Sequence, residues 1–530
     1  MRARRKTHRP PPGWADRLIP FACLGIILAY LAMIDLKGIS TDEGIRLGII
    51  NAGQPFVLHQ PPSELAWDRV IETGQPFAYQ PLYFLIQRTA MVLAQTQDVI
   101  FLRLVNVFFL WLSLQGMLVM SRGWPPLSRL FLLLFFGLNS YILMHVLQIR
   151  EYIVAVAFYV WSSWLVLQLV DRRLGRSWPD CGWFAAYGFL LTAGFFTQAW
   201  VVFPAIGQFL FLVLTRKSER VRFYVHLAVS YLIVISATLP YLLHNRQKAS
   251  VGRWGLESSD LLPQLSDGFH LVLTGHIAGY SWFTDLMFWG WIGFLLVLGW
   301  LWWRPSVAGR AILQRHPSTL VQAKLMLWCI GLSLVFQIGY FYKVENLSVW
   351  PRYFVIHSVF AAWLVALAFN HLHLLGQTRQ LWRKVTAVVF AGMLASATYQ
   401  VHSYYKDPTF DTGLTPTQNW RILANAVVRQ LQPDDVLFTH EFINQATLTF
   451  THPLTQRVFM LKDLEHAYLD GAPRIVYLEP VPLAHDRPAL VARFAAKGFR
   501  VMEQVRLRDE IHHLDIDGWN LLVFRQGGGS

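Results

Sequence analysis

Long apolar runs separated by short polar stretches make up roughly the first 400 of the 530 residues of this chain. The first run extends from about Leu18 to Ile34, close to the ~20 apolar residues that cross the hydrocarbon core of a bilayer. Ten further runs follow, and together they predict about eleven transmembrane helices. The further runs lie near 99–120, 130–147, 153–171, 182–199, 200–215, 223–243, 286–303, 325–342, 353–370 and 385–400. The 182–215 stretch fits either one kinked pair or two spans.

Composition and charge agree with a polytopic membrane protein. Hydrophobic residues make up 54% of the chain and charged residues only 15%. The Lys and Arg residues fall in short clusters between apolar runs, where they are typical topology signals, so the net charge of +14 does not indicate nucleic-acid binding. The basic N-terminus is predicted to be cytoplasmic, and an odd number of spans places the C-terminus outside. The three cysteines lie in or beside apolar runs and indicate neither a disulfide framework nor a zinc site.

Two outer segments within the first 400 residues are long enough to contribute to a site. The segment 37–98 contains short amphipathic pieces, Ile45–Asn51 and Ser63–Ile71, which predict helices lying in the membrane interface. The segment 244–285 carries Arg246 and Lys248 although it is predicted to lie outside. An anionic lipid headgroup would explain positive charge on this disfavoured side, and the alternative is a loop with solvated charges.

From about residue 401 the apolar runs shorten and alternate with polar helical stretches. Strands are predicted at 434–439, 474–478, 499–504 and 520–524, with helices near 417–431, 441–450, 461–467 and 486–497. This alternation predicts a small soluble α/β domain over 401–526 that lies outside the membrane, after a transmembrane module over 1–400. Residues 527–530 resemble an artificial linker.

An acidic pair, Asp42 and Glu43, follows the first span on its outer side. A carboxylate at this surface is suited to accept the proton of an attacking hydroxyl or amine. The alternative is structural, because Ser40 and Glu43 have the spacing of a helix capping box. We assign Glu43 mainly to that structural task. Asp42, in the first turn of the same helix, is expected to stay ionised and to serve as the base.

Two arginines at outer span ends are candidates to hold a phosphate, because a guanidinium matches phosphate oxygens with a planar fork of donors. Arg150 stands beside Glu151 and Tyr152, and Arg352 opens a late span. The alternatives are an ion pair with Glu151 or snorkelling for Arg150, and an aromatic-belt anchor for Arg352.

Several short motifs occur in a fixed order, and the ordered set is more specific than any single motif. The motifs are Thr41-Asp42-Glu43-Gly44, Gln80-Pro81-Leu82-Tyr83-Phe84, Leu102-Arg103-Leu104, Gln148-Ile149-Arg150-Glu151-Tyr152, Arg352-Tyr353-Phe354 and Asn419-Trp420-Arg421. This order resembles the GT-C superfamily of lipid-dependent glycosyltransferases, specifically the bacterial relatives of protein O-mannosyltransferases and of the lipid A aminoarabinose transferase. The resemblance implies a polytopic helical GT-C fold and a polyprenyl-phosphate-linked sugar donor.

Gln80 and Tyr83 of the second motif are candidates to line the substrate cavity. Gln148, near an outer span end, is a further candidate, and the alternative for it is interhelical hydrogen bonding. The relatives commonly carry His-Pro-Pro where this chain has Tyr79-Gln80-Pro81, and His59 is the candidate spatial replacement for that histidine. No cofactor follows with certainty; a divalent metal stays open, because no His/Asp/Glu ligand set is evident.

The sequence therefore predicts an integral membrane glycosyltransferase of the bacterial inner membrane. By resemblance it transfers a sugar, with inversion, from a polyprenyl-phosphate carrier to an unidentified glycan, lipid or protein acceptor on the outer face. The phosphate is expected to bind Arg150, Arg352 and Tyr152, with Arg246 and Lys248 as further contacts. The alternatives are a flippase for a lipid-linked sugar, and a non-catalytic assembly protein. A flippase predicts internal repeats and charges near span midpoints, and neither is evident.

Overall fold

The computed structural model describes most of the chain, with gaps between the described segments. The described residues are 14–35, 41–51, 64–75, 80–171, 178–215, 221–248, 261–303, 305, 307–343, 351–406, 426–439, 457–461, 464, 474–480, 487–509 and 514–526. Within helices and strands, some residues are described by their backbone alone.

Among the described residues of the membrane module, all regular elements are helices. Its first helices, up to the outer end of the third predicted span, are α1 Trp14–Met33, α2 Thr41–Ile50, α3 Trp67–Gly74, α4 Pro81–Ala94, α5 Val99–Met120, α6 Pro126–Gly137 and α7 Ser140–Leu147. The next are α8 Tyr152–Asp171, α9 Trp178–Thr197, a 3₁₀ turn Ala199–Val201, α10 Val202–Thr215, α11 Val221–Lys248 and α12 Leu261–Thr274. The last are α13 Trp282–Trp303, α14 Val307–Arg315, α15 Pro317–Lys343, a 3₁₀ turn Pro351–Ile356, α16 His357–Gly376 and α17 Gln380–Lys406.

Each of the eleven apolar runs contains helix. Eight helices of the described chain are long and apolar enough to cross a membrane, or nine spans if the pair α6 and α7 counts as one. That pair covers the predicted 130–147 run but is bent by 57°. The two runs within 182–215 form the shorter apolar helices α9 and α10. The chain is therefore a multi-pass membrane protein, while the exact number and direction of its crossings stay predictions.

Helix α16 lies at the centre of the membrane module. Of the residues in its apolar span, 94% are buried inside the structure, compared with 17% for α13 at the periphery. Its side chains are apolar around the whole circumference, which is the pattern of a helix surrounded by other helices. Phe369 of α16 stacks on Phe131 of α6 with ring centroids 4.1 Å apart, and Trp363 is fully buried.

The bend between α6 and α7 is held by specific polar contacts. The Asn139 side chain accepts hydrogen bonds from the backbone N–H groups of Tyr141 and Ile142 and so caps α7. The Ser140 hydroxyl donates to the carbonyl of Gly275 at 3.0 Å, and the Ser140 N–H donates to Gln400 Oε1 at 2.9 Å. Since Gln400 belongs to α17, these contacts join the bend to the last helix of the module.

The segment 37–98, predicted to form an outer platform of interfacial helices, contains three helices among its described residues. The expected Ile45–Asn51 piece belongs to α2, and the expected Ser63–Ile71 piece overlaps α3. Helix α4 was not predicted, although Pro81 at its first turn is a common helix start. The segment 244–285 likewise contains the unpredicted helix α12.

The C-terminal part contains one five-stranded mixed sheet. Its strands are β1 Val436–Thr439, β2 Arg457–Met460, β3 Arg474–Pro480, β4 Phe499–Asp509 and β5 Leu514–Gln526, with helix α18 Arg487–Ala496 before β4. The sheet order is β2-β1-β3-β5-β4, with β1 parallel to β2 and β3, and β5 antiparallel to β3 and β4. The helical membrane fold with a small α/β part is confirmed. The strand β2 was missed, and the predicted helix at 441–450 lies outside the described residues.

Candidate functional site

Helix α2 is joined to two distant parts of the chain through Glu43. The Glu43 side chain is fully buried, and its Oε1 accepts a hydrogen bond of 2.8 Å from the backbone N–H of Ile149. The same oxygen lies 3.3 Å from the Arg103 guanidinium of α5, which also donates to the carbonyl of Ile34 at 2.9 Å. Glu43 therefore binds both the start of α5 and the short segment 148–151 that connects α7 to α8.

A second buried ion pair lies one turn further along α2. Arg46 donates from Nε and Nη2 to the two carboxylate oxygens of Glu151, at 2.8 and 2.9 Å. The two side chains are only 2% and 6% exposed. Burial alone would raise the pKa of Glu151, but the charge and hydrogen bonds of Arg46 outweigh burial and hold this pKa below its ordinary value. Glu151 therefore remains a carboxylate bound to Arg46.

These contacts bring the two principal predicted site positions to the same place. Asp42 precedes Glu43, and Arg150 follows Ile149, so each is next in sequence to a partner in the 2.8 Å hydrogen bond. The backbone of Asp42 lies in the first turn of α2, and its side chain lies outside the described residues. Arg150 is largely buried, with 9% of its surface exposed.

The predicted cavity residues belong to a network between α4, α5 and the same segment. Tyr83 is fully buried, and its hydroxyl accepts a hydrogen bond of 3.1 Å from Gln87. Gln87 also donates to Asn106, and the amide of Asn106 donates to the backbone carbonyl of Gln148. Gln80, just before α4, and Gln148 are both partly exposed. Tyr83 is therefore connected to the segment 148–151 through Gln87 and Asn106. Gln80 and Gln148 retain some solvent-accessible surface.

Tyr152 lies behind Arg150 in an aromatic cluster. It is 3% exposed and packs edge to face on His145, which in turn packs on Tyr141 at the same centroid distance of 4.7 Å. A direct phosphate contact from Tyr152 stays a prediction.

Besides Asp42, four predicted residues cannot be located at the level of their side chains. His59 lies outside the described residues. Arg352 belongs to the 3₁₀ turn Pro351–Ile356, and Arg246 and Lys248 belong to the last turns of α11, but in each case only the backbone is described. Their roles therefore stay predictions.

Two arginines important for the site were missed in the sequence. Arg46 follows Glu43 by three positions, so both charges share one face of α2, and this spacing was the available signal. Arg88 of α4 is 1% exposed and donates to the carbonyls of Glu64 and Leu65 and to the Asn51 side chain. It thereby ties the chain around α3 to the end of α2. Nothing in the sequence around Arg88 distinguished it from a surface arginine.

Within the described ranges, no group of three or more His, Cys, Asp or Glu side chains is arranged to hold a metal ion. The side chains of Asp42 and His59 are not among these described residues.

Comparisons with known proteins agree on the fold. No family model and no curated protein sequence matches the chain. Among solved structures, ArnT from Cupriavidus metallidurans bound to undecaprenyl phosphate is similar, with a TM-score of 0.52 and 13% identity over 97% of this chain and 98% of that chain. The same protein in the apo state gives a TM-score of 0.54 and 12% identity over 96% and 98% of the two chains. The resemblance to the GT-C glycosyltransferases is thus confirmed at the level of the fold.

Proposed function

We propose that this membrane protein, which shares the GT-C fold, is a glycosyltransferase that moves a sugar from a polyprenyl-phosphate carrier to an acceptor at the outer membrane face. Asp42 is the base, Arg150 holds the carrier phosphate, and Arg352 is a second phosphate ligand. The acceptor is a glycan, lipid or protein hydroxyl or amine.

The observation that carries this proposal is the hydrogen bond from the Ile149 N–H to Glu43. It holds the first turn of α2 against the segment 148–151, which supports our assignment of the Asp42 carboxylate and the Arg150 guanidinium to one site. The Arg46–Glu151 pair fastens the same two elements a second time. We assign Glu43 and Glu151 to the bonds that hold the two elements together, and Asp42 and Arg150 to the substrate.

In the proposed reaction an acceptor oxygen or nitrogen bonds to the anomeric carbon while the bond from that carbon to the phosphate oxygen breaks. Asp42 takes the acceptor's proton. The phosphate leaves with the bonding electron pair and remains on the lipid carrier, and Arg150 stabilises its added negative charge. A single displacement of this kind inverts the anomeric carbon. An ionised carboxylate is a weak base, so its contribution depends on orientation, which the buried junction supplies.

Two further facts support the substrate class and the location. The similar ArnT structure contains undecaprenyl phosphate, a lipid of the proposed carrier class. The contacts of Gln400 with Ser140 join the C-terminal half of α17 to the start of α7, the helix that leads to the site. We therefore propose that the C-terminal α/β domain, over 401–526, lies on the same membrane face as Asp42, where it covers the cavity or recognises the acceptor.

The test uses purified protein with undecaprenyl-phosphate-linked mannose, glucose or aminoarabinose, each with a radiolabelled sugar, and a membrane extract as the source of acceptors. Wild-type protein is expected to convert at least one donor into labelled product and free undecaprenyl phosphate. Asp42→Asn is expected to lower turnover by about 10²–10⁴-fold, the usual contribution of a general base. Its binding of undecaprenyl phosphate should stay within about twofold of wild type, since the phosphate is bound by the arginines.

The matched control is Asp68→Asn, which removes an exposed carboxylate on α3 of the same outer platform and should leave turnover unchanged. Full activity of Asp42→Asn would refute the assigned base. Movement of intact lipid-linked sugar across vesicle membranes, without release of undecaprenyl phosphate, would instead identify a flippase.

A further inference from the structure

A shallow groove lies on the outward face of α15, away from the site described above. Its cavity has a volume of about 390 Å³. The lining residues are Lys324, Leu327, Trp328, Gly331, Leu332 and Val335. Apart from Lys324 they are apolar, and Gly331 leaves room because no atom lies within 4 Å of where its Cβ would be.

The groove has the length of one bilayer leaflet. Lys324 and Val335 are eleven positions apart, which corresponds to about 16 Å along an α-helix. Half of the ~30 Å hydrocarbon core is about 15 Å. Since Lys324 immediately precedes the predicted span 325–342, the groove is expected to extend from that membrane surface to the bilayer centre.

The polar end of the groove is a single exposed ammonium group. No carboxylate in the described part of the chain lies within 4.0 Å of Lys324, so the lysine has no ion-pair partner there. The sequence predicts this end of α15 to be cytoplasmic. A cation at this depth is suited to a negatively charged headgroup, because the cytoplasmic leaflet contains anionic lipids that attract basic residues near the surface.

We infer that this groove is a binding site for an anionic phospholipid of the leaflet at the N-terminal end of α15. One acyl chain lies along Trp328, Gly331 and Val335, and the phosphate binds the Lys324 ammonium. The lipid is a structural ligand of the protein and takes no part in sugar transfer. This inference is independent of the proposed function.

The test is native mass spectrometry of the full-length protein released from detergent micelles doped with equal amounts of phosphatidylglycerol and phosphatidylcholine of the same chain length. Wild-type protein is expected to retain phosphatidylglycerol at least about fivefold over phosphatidylcholine, as a charge-selective site requires. Lys324→Gln should abolish the preference. Gly331→Leu should abolish retention of both lipids, because the new side chain occupies the groove.

Two control variants change the same residue types outside the groove. Lys384→Gln removes another exposed lysine, four residues after the start of α17. Gly339→Leu adds the same side chain to α15 at a second position with open space around it. Both should behave as wild type, and Gly331→Leu should match Gly339→Leu in thermal stability.

If Lys324→Gln and Lys384→Gln lost the preference for phosphatidylglycerol to the same extent, the preference would be an effect of general surface charge, and the inference would be overturned. Retention of phosphatidylglycerol by Gly331→Leu would place the lipid elsewhere. One-for-one displacement of phosphatidylglycerol by undecaprenyl phosphate, lost in Gly331→Leu, would assign the groove to the polyprenyl carrier and also refute the inference.

Discussion

The guanidinium of Arg46 and the carboxylate of Glu151 are joined by two hydrogen bonds across 105 positions of the chain. Burying two charges costs several kcal/mol per ion, so such a pair is retained where its geometry matters more than its net stabilisation. Here the geometry holds α2 against the segment that precedes α8. We therefore expect the pair to position the neighbouring Asp42 and Arg150.

Removing Arg46 should be far more damaging than removing an exposed arginine of the same platform. Arg46→Met leaves Glu151 buried without its main partner, and we expect a loss of roughly 3–5 kcal/mol of unfolding free energy. Arg69→Met is the control, because Arg69 pairs with Glu64 at 3.6 Å with both side chains at least half exposed. That variant should lose less than about 1 kcal/mol.

Thermal denaturation of the detergent-purified variants measures this difference. The double variant Arg46→Met with Glu151→Met should recover much of the loss, because no unpaired charge remains. Similar melting temperatures for Arg46→Met and Arg69→Met would contradict the structural importance of the buried pair.

Stability should decrease at acid pH through Glu151. Its folded-state pKa lies below the ordinary value of 4.5, so its ionised form is favoured by folding. The contribution is fully present above about pH 4.5 and is lost as the pH falls through the lower folded-state pKa. Thermal stability should be measured from pH 7 to pH 3 for wild type and Glu151→Gln. The gap between the two is expected to be constant down to about pH 4.5 and to narrow below it. A gap that widens with acidification would show the opposite shift.

Arg150 should require its guanidinium fork and not only its charge. Arg150→Lys keeps the charge but loses the paired donors, and a hydrogen bond to a charged group is worth about 1.5–3 kcal/mol. Binding of undecaprenyl phosphate, measured by calorimetry in detergent, is therefore expected to weaken by about 10–150-fold. Arg122→Lys is the control. Arg122 is exposed and lies just after the C-terminal end of α5, so this variant should bind undecaprenyl phosphate like wild type. Unchanged affinity in Arg150→Lys would remove Arg150 from the phosphate site.

Gly275 should not tolerate a side chain. Its φ of +77° is strained for an L residue, and an added Cβ would overlap the Ser140 hydroxyl and the Gln400 amide that hold the bend between α6 and α7. Gly279 has a similar φ of +73° but no atom within 4 Å of a new Cβ. Gly279→Ala should therefore cost only the backbone strain, roughly 1–2 kcal/mol, and Gly275→Ala substantially more. Melting temperatures of the two variants give the comparison, and equal losses would mean that the packing around Gly275 relaxes freely.

The apolar pattern predicted the helices of the membrane module well because a bilayer imposes a length and a composition on every span. The break between α6 and α7 could not be predicted in the same way. Its cause is the Asn139 cap together with contacts to Gly275 and Gln400, which lie more than 130 positions away. Strands β1 and β2 have only four residues each, which is too few for a clear periodic signal, and of the two only β1 was predicted.

The site was only partly accessible to sequence reasoning. Asp42 and Arg150 were singled out by their places beside predicted spans, and the structure brings their neighbours Glu43 and Ile149 into direct contact. The partners of Arg46 and Arg103 could not be predicted, because a charge pattern along the chain does not encode which distant carboxylate an arginine meets. The capping-box interpretation of Glu43 stays a prediction, because Ser40 lies outside the described residues; the bonds of Glu43 to α5 and to Ile149 were not predicted.

The long separation between Glu43 and Ile149 also sets an order of assembly during synthesis. Helix α2 leaves the ribosome more than 100 residues before the amide that its glutamate binds. The bonds of Glu43 to Ile149 and of Arg46 to Glu151 therefore cannot form until the chain has been synthesised up to the start of α8. Nascent chains that stop before residue 151 are therefore expected to leave α2 accessible to proteases, and protection should begin only when the connection between α7 and α8 has been made.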